Sequence, residues 1–211
     1  IELSYEKKLN CQNNCPLVAY VKINQFGDNT NDEWDNIVNE LQKKWRQKEI
    51  KGLIVDVRDN PGGYLESAVY IASDFLPYNS LIVKQESTTS FNHEYKVTHA
   101  PRLENIPLVI LINKGSASAS EILAGALRDH KKATIIGEKS FGKGSVQEAL
   151  DLKEGAGLHV TVAKWILPKG DWINSKGIKP EIEVVNNITE GNTLTRENDL
   201  QLEKAIEFLI K

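Results

Sequence analysis

The sequence predicts an α/β protein, and three observations predict it. Gly52–Val57 (GLIVDV), Pro107–Asn113 (PLVILIN) and Ala133–Gly137 (ATIIG) are short, nearly continuous apolar runs, as in strands covered on both faces. Helical patterns lie between and around them. Each run ends in a junction rich in Gly, Ser or Asn.

The elements follow in order. Leu17–Asn24 (LVAYVKIN) alternates as a strand does. Asp28–Thr30 is a turn with cap-forming residues. Asn31–Gln47 is a helix whose Trp34, Ile37, Val38, Leu41 and Trp45 share one face, a core-packing pattern. Leu65–Phe75 is a helix stopped by Pro77, and Leu81–Lys84 is a short strand. Gln85–Asn105 is polar and reads as a hairpin or a loop. Gly115–His130 is a helix entered through small residues, and Lys139–Ser145 is a Gly-rich loop. Leu158–Leu167 is strand-like, and Trp172–Pro180 is a loop. Asp199–Ile210 closes the chain as a helix with Leu202, Ala205, Ile206 and Leu209 on one face.

The 211 residues suit one large domain or one domain with a small appendage. The net charge of −3, without a basic or acidic block, points away from nucleic acid and from a polybasic membrane patch. The apolar runs are too short for an integral membrane segment. The chain starts at Ile1 and contains no Met, so it reads as a processed protein or a fragment. Cys11 and Cys15 form either a small disulfide or two free thiols, and are too few for a zinc site.

Ligands of open α/β sheets gather beyond the carboxyl ends of strands. This brings the turn at Asn60–Gly63, the turn at Gly115–Ser120 and the loop at Ser140–Ser145 together as candidates. In Gly115–Glu121 (GSASASE) a serine at the start of a helix fits a nucleophile elbow, with the helix dipole and free N–H groups favouring an oxyanion. Ser118-x-x-Glu121 equally fits a capping box. Gly137–Gln147 (GEKSFGKGSVQ) approaches the phosphate-binding pattern GxxxxGK[ST], with Asp56 as an acidic-strand partner, but Gly144 stands where a hydroxyl belongs. Ser140-x-x-Lys143 has the SxxK spacing without its SDN and KTG partners. Asn60-Pro61-Gly62-Gly63 is either a plain turn or a source of unobstructed N–H donors. His93, His99, His130 and His159 are scattered, so no metal site and no triad histidine is nominated. The sequon Asn187-Ile188-Thr189 is a frequent chance match.

Taken together, KGLIVDVRDNPGGYLESAVYIASDFLP, PLVILINKGSASASEILAGALRDHKKATIIGEKSFGKGSVQ and HVTVAKWILPKGDWINSKGIKPEIEV resemble the C-terminal processing (tail-specific) peptidases. LVAYVKINQFGDNT is similar to the strand that opens their core. The resemblance covers about residues 17–185, which leaves 1–16 as an N-terminal remnant or cap strand and 186–211 as a linker and helix. It implies a crotonase-like or ClpP-like β/α superhelix. It implies Ser118 as nucleophile, Lys143 as base and Gln147 as the support of that lysine. The oxyanion hole would use the N–H of Ala119 and that of Gly62 or Gly63. It implies no metal or cofactor, a polypeptide substrate and an extracytoplasmic location.

The chemistry sets its own requirement. Free lysine titrates at about 10.4, and a lysine base working near neutrality must fall to ~7–8. Burial lowers it, and Phe141, Val146 and the glycines are expected to supply that setting. Gln147, four residues on, is expected on the same face as Lys143.

The resemblance departs in one respect. Family members usually carry a PDZ domain before the core strand, where this chain has only residues 1–16. A core fragment or a PDZ-less member is expected, with a PDZ domain or a second copy as candidate partners. The sequence therefore predicts a Ser–Lys endopeptidase cutting extended or unfolded chains near their C-termini. The alternatives are a latent peptide-binding core and a nucleotide-binding enzyme built on Gly137–Lys143.

Overall fold

The computed structural model describes residues 1–87, 91–151, 157–187 and 193–211, and their side chains except at 147–151 and 157–159. The elements run β1 (Glu2–Glu6), β2 (Leu17–Lys22), α1 (Thr30–Arg46), β3 (Ile50–Asp56), α2 (Leu65–Ser73), β4 (Leu81–Ser87) and β5 (His93–Lys96). They continue β6 (Leu108–Ile112), α3 (Ala119–Asp129), β7 (Ala133–Gly137), β8 (Ser145–Asp151), β9 (Gly157–Ile166), β10 (Ile182–Glu183) and α4 (Leu200–Leu209). The α/β expectation is met.

The main sheet has the order β1-β2-β3-β6-β7-β10 and is parallel apart from the edge pair β1–β2. Its central strands are apolar at successive positions because both faces are covered. Leu53, Val55, Ile110 and Ile135 join the core under α1, α2 and α3. Their neighbours Ile54, Val109, Leu111 and Ile136 meet Leu202, Ala205 and Ile206 of α4 on the other face. Burying a side chain such as Leu202 or Ile206 contributes roughly 1.5–3 kcal/mol, so α4 is a docked part of the fold. The second sheet, β5-β4-β9-β8, is antiparallel. The pairing of β4 with β5 makes a hairpin of the polar stretch after Leu81. Strand β8 was not expected, because its first residues belong to the Gly-rich run. No helix among the described residues is long and apolar enough to cross a membrane.

One boundary differs in a way that matters. The helix expected from Gly115 begins only at Ala119, because Ser118 adopts φ 55° and ψ −117°, which is not helical. Gly115–Ser118 is a tight turn beyond the carboxyl end of β6.

Cys11 and Cys15 form a disulfide between β1 and β2. So short a loop adds at most about 2 kcal/mol by chain entropy. The double substitution Cys11→Ser/Cys15→Ser is expected to lower Tm by no more than ~4–8 °C in a thermal melt.

Candidate active site

The three serines of the SASAS run have different environments. Ser116 is fully buried and its Oγ donates to the Val57 carbonyl at 2.7 Å. Ser120 is equally buried and donates to the Asn60 carbonyl at 3.0 Å. These two serines fasten the β6–α3 turn to the β3–α2 turn. Ser118 alone is partly exposed. A positive φ is uncommon for a residue with a Cβ and is a form of strain that gathers at reactive sites. The strand–turn–helix setting of Ser118 is that of a nucleophile elbow.

The β3–α2 turn lies directly against this serine. A Cβ placed on Gly62 would come within 2.8 Å of Ser118 Cβ and 3.0 Å of the Ala119 nitrogen. The buried Asn60 shapes the turn: its Nδ2 donates to the Ile23 carbonyl, and its Oδ1 accepts the Gly62 N–H at 2.8 Å. That bond occupies the Gly62 donor. Gly63 differs, since Phe26 donates to the Gly62 carbonyl and accepts from the Tyr64 N–H. In this parallel bridge the groups of Gly63 itself point the other way. Neither the Gly63 N–H nor the Ala119 N–H has a hydrogen-bond partner among the described residues.

Glu121 joins the serine to the glycine loop. Its carboxylate is wholly buried. Oε2 accepts the Ser118 N–H at 3.0 Å and the Lys143 N–H at 2.8 Å. Oε1 accepts the Ser140 hydroxyl at 2.5 Å and the Gly142 N–H at 2.7 Å. The Glu121 half of the capping box therefore forms, while the Glu121 N–H goes to the Ser118 backbone carbonyl, and the same glutamate also sets the loop that carries Lys143. The sequence offered Glu121 only as a cap. Its second role has no local signal, because Ser140, Gly142 and Lys143 come from a distant segment.

The same contacts correct two alternatives. The amides of Gly142 and Lys143 already hold the Glu121 carboxylate and are not free for a phosphate. The loop runs into β8 and not into a helix, and Asp56 is committed to Tyr20 and Arg58. Gly144 lacks a hydroxyl for a steric reason: a Cβ there would sit 2.2 Å from the Asn174 nitrogen. Ser140 of the SxxK spacing is buried and donates to Glu121.

Lys143 corrects a third expectation, for its side chain is exposed. The apolar cover expected from Phe141 is absent, because the Phe141 N–H is tied to the Ser116 carbonyl while its ring is 68% exposed. The side chain of Gln147 lies outside the described residues. Among the histidines, His99 pairs with Asp74, His130 with the Leu81 carbonyl and His93 with the Tyr95 ring, while the side chain of His159 is not described. The Asp74–His99–Thr98 chain has the order of a triad, but Arg102 takes both Asp74 oxygens and makes it a staple.

The family model for Peptidase family S41 matches residues 17–184. The chain belongs to this family. The S41 core is 38% identical over 167 residues to the carboxy-terminal processing protease CtpB of Bacillus subtilis, covering 79% of the chain and 34% of that protein. It is 37% identical over 194 residues to the carboxyl-terminal-processing protease of a Synechocystis species, covering 91% of the chain and 44% of the relative. Among solved structures, a photosystem II D1 C-terminal processing protease superimposes with a TM-score of 0.72 at 30% identity, over 87% of this chain and 48% of that one. The chain thus spans less than half the length of these relatives.

Proposed function

We propose that this S41 chain is the catalytic core of a serine endopeptidase that cuts extended or unfolded polypeptides, near their C-termini, through a Ser118–Lys143 dyad. The observation that carries this reading is the strained Ser118 at the α3 N-terminus, packed against the Gly62–Gly63 turn, with the N–H groups of Ala119 and Gly63 unpaired among the described residues. The Ser118 Oγ attacks the scissile carbonyl carbon, and a neutral Lys143 Nζ takes its proton. The Ala119 and Gly63 N–H groups hold the oxyanion of the tetrahedral intermediate. Lys143 returns the proton to the leaving amine, and water then opens the acyl-enzyme with Lys143 again as base. Gln147 is assigned to holding the lysine amine. The assigned boundaries are 17–185 for the peptidase core, flanked by 1–16 and 186–211. The Cys11–Cys15 disulfide supports an oxidising, extracytoplasmic location.

The exposure of Lys143 favours a specific form of the latent reading. A lysine base needs desolvation. Here the cover comes from the bound peptide or from a further domain such as a PDZ, so the uncovered core rests with low activity.

The test is cleavage of casein near pH 8 by wild type, Ser118→Ala and Lys143→Ala, with a fluorophosphonate label located by mass spectrometry. Cleavage lost in both variants, unchanged by chelator, and a label on Ser118 are expected. Equal cleavage by all three proteins would sink the dyad. No cleavage by any, with Ser118 labelled weakly, would identify the latent form, and a PDZ-bearing chain is then expected to restore activity.

A further inference from the structure

The family match ends at residue 184, yet the helix beyond it reaches the catalytic turn. Arg58 opens the Val57–Gly63 turn, is only 6% exposed, and has all five guanidinium N–H groups engaged. Its Nε donates to Asp56 at 2.9 Å, and one terminal nitrogen donates to Asp56 at 2.6 Å and Asp199 at 2.8 Å. The other donates to Asp199 at 2.9 Å and to Gln201 Oε1 at 3.0 Å. Asp199 is the N-cap of α4 and accepts the Leu202 N–H at 2.9 Å. The Gln201 amide donates to the Val184 carbonyl at 2.8 Å. Half of the fork therefore rests on α4.

Burial opposes charge on both partners, but their mutual bonds prevail. Arg58 is held above its ordinary value by Asp199 and Asp56, and Asp199 is held below its own by Arg58. The pair is ionised at neutral pH. Buried ion pairs add little net stability over apolar packing, but they fix geometry where the fork is fully satisfied.

Arg58 is bonded through its own N–H to Asp56 Oδ1 at 2.9 Å, and Asp59 follows with φ 58°. The next residues are Asn60, which docks the turn on Ile23, Ala117 and Ser120, and then Gly62 and Gly63. We infer that α4 is a positioning element of the active site: Asp199 and Gln201 hold Arg58, and Arg58 holds the Val57–Gly63 backbone in the register that presents the Gly63 N–H beside Ser118. This rests on the peptidase reading for its catalytic consequence, though not for its structural content.

Asp199→Asn keeps a capping oxygen but loses one charged arm of the fork. Gln201→Leu keeps volume and removes the other acceptor. Leu202→Ala weakens α4 packing without touching Arg58, and so reports a merely structural role. Amide hydrogen exchange of the full protein, read by mass spectrometry, is expected to show residues 57–64 opening at least tenfold faster in Asp199→Asn/Gln201→Leu, with β6 and β7 unchanged. On casein the same double variant is expected to lose kcat by about tenfold or more at constant KM, since donor placement acts on the transition state. Leu202→Ala is expected to lower Tm with kcat retained below the transition. Unchanged exchange across 57–64 in the double variant would overturn the proposal whether or not the protein cleaves. Equal kcat losses in Leu202→Ala and the double variant would overturn it as well. Cleavage that survives Ser118→Ala counts against the peptidase reading alone, because exchange reports the turn without turnover.

Discussion

Glu121→Ala is expected to be among the most damaging single substitutions in this chain, for stability and catalysis together. It removes the acceptor of four donors at once: the N–H groups of Ser118, Gly142 and Lys143, and the Ser140 hydroxyl. A buried donor left unpaired costs about 1–3 kcal/mol, and water entering the space offsets only part of this. A net loss of about 3–5 kcal/mol is expected, comparable to breaking one side of a buried charged pair. That corresponds to a Tm lower by at least ~6 °C for a chain of this size. The catalytic loss comes from position. With the carboxylate gone, the Phe141 N–H to Ser116 carbonyl bond is left to hold the Lys143 loop against the Ser118 turn, and on the proposed dyad a small misplacement of the base costs about 10²-fold. Glu121→Gln separates the two effects. It keeps the volume and one acceptor oxygen, but sets an NH2 group against either the Ser118 and Lys143 amides or the Gly142 amide. It is expected to recover most of the Tm and little of kcat. Casein cleavage below the melting transition, beside thermal melts, checks this, and an alanine variant with wild-type kcat would remove Glu121 from the site.

Much of this architecture is written locally. The buried strands β3, β6 and β7 read directly from GLIVDV, PLVILIN and ATIIG, because burial on both faces favours apolar residues at successive positions, with Asp56 the buried exception that Arg58 and Tyr20 satisfy. The β6–α3 turn is legible in the alternation of serine and alanine, and Ser118 occupies the strained position. What was not legible depends on partners far away in sequence. Glu121 spells a cap, and only the folded chain brings Ser140, Gly142 and Lys143 to it. Arg58 looks like part of a surface turn until Asp199, 141 residues later, buries it. Phe141 looks like cover for the lysine, but a single backbone bond to Ser116 leaves its ring in solvent. Hydrophobic periodicity reports which face of an element is buried, and not which backbone amide a carboxylate will find.

On the proposed mechanism, Gly63→Ala is expected to lose cleavage by at least about 10²-fold, since the loss of one oxyanion donor alone has that effect. Two separate constraints require glycine here. The backbone has φ 132°, which side-chain-bearing residues rarely adopt. A Cβ would also lie 2.0 Å from the Phe26 carbonyl oxygen, an overlap with main chain that no rotamer change relieves. The bridge to Phe26 must part, and the Gly63 N–H turns with it. Gly62→Ala is the informative comparison. Its N–H is already bonded to Asn60, so no donor is lost, but its Cβ would press on Ser118 Cβ at 2.8 Å and on the Ala117 carbonyl at 2.8 Å. If Gly63 supplies the donor, a peptide aldehyde, which forms an oxyanion on Ser118, should lose far more affinity in Gly63→Ala than an uncleaved peptide does. In Gly62→Ala Ser118 itself is displaced, so its fluorophosphonate labelling should slow along with cleavage. Equal loss of aldehyde and plain-peptide binding in Gly63→Ala would mean that the substitution had only broken the bridge to Phe26. The oxyanion would then rest on the Ala119 N–H alone.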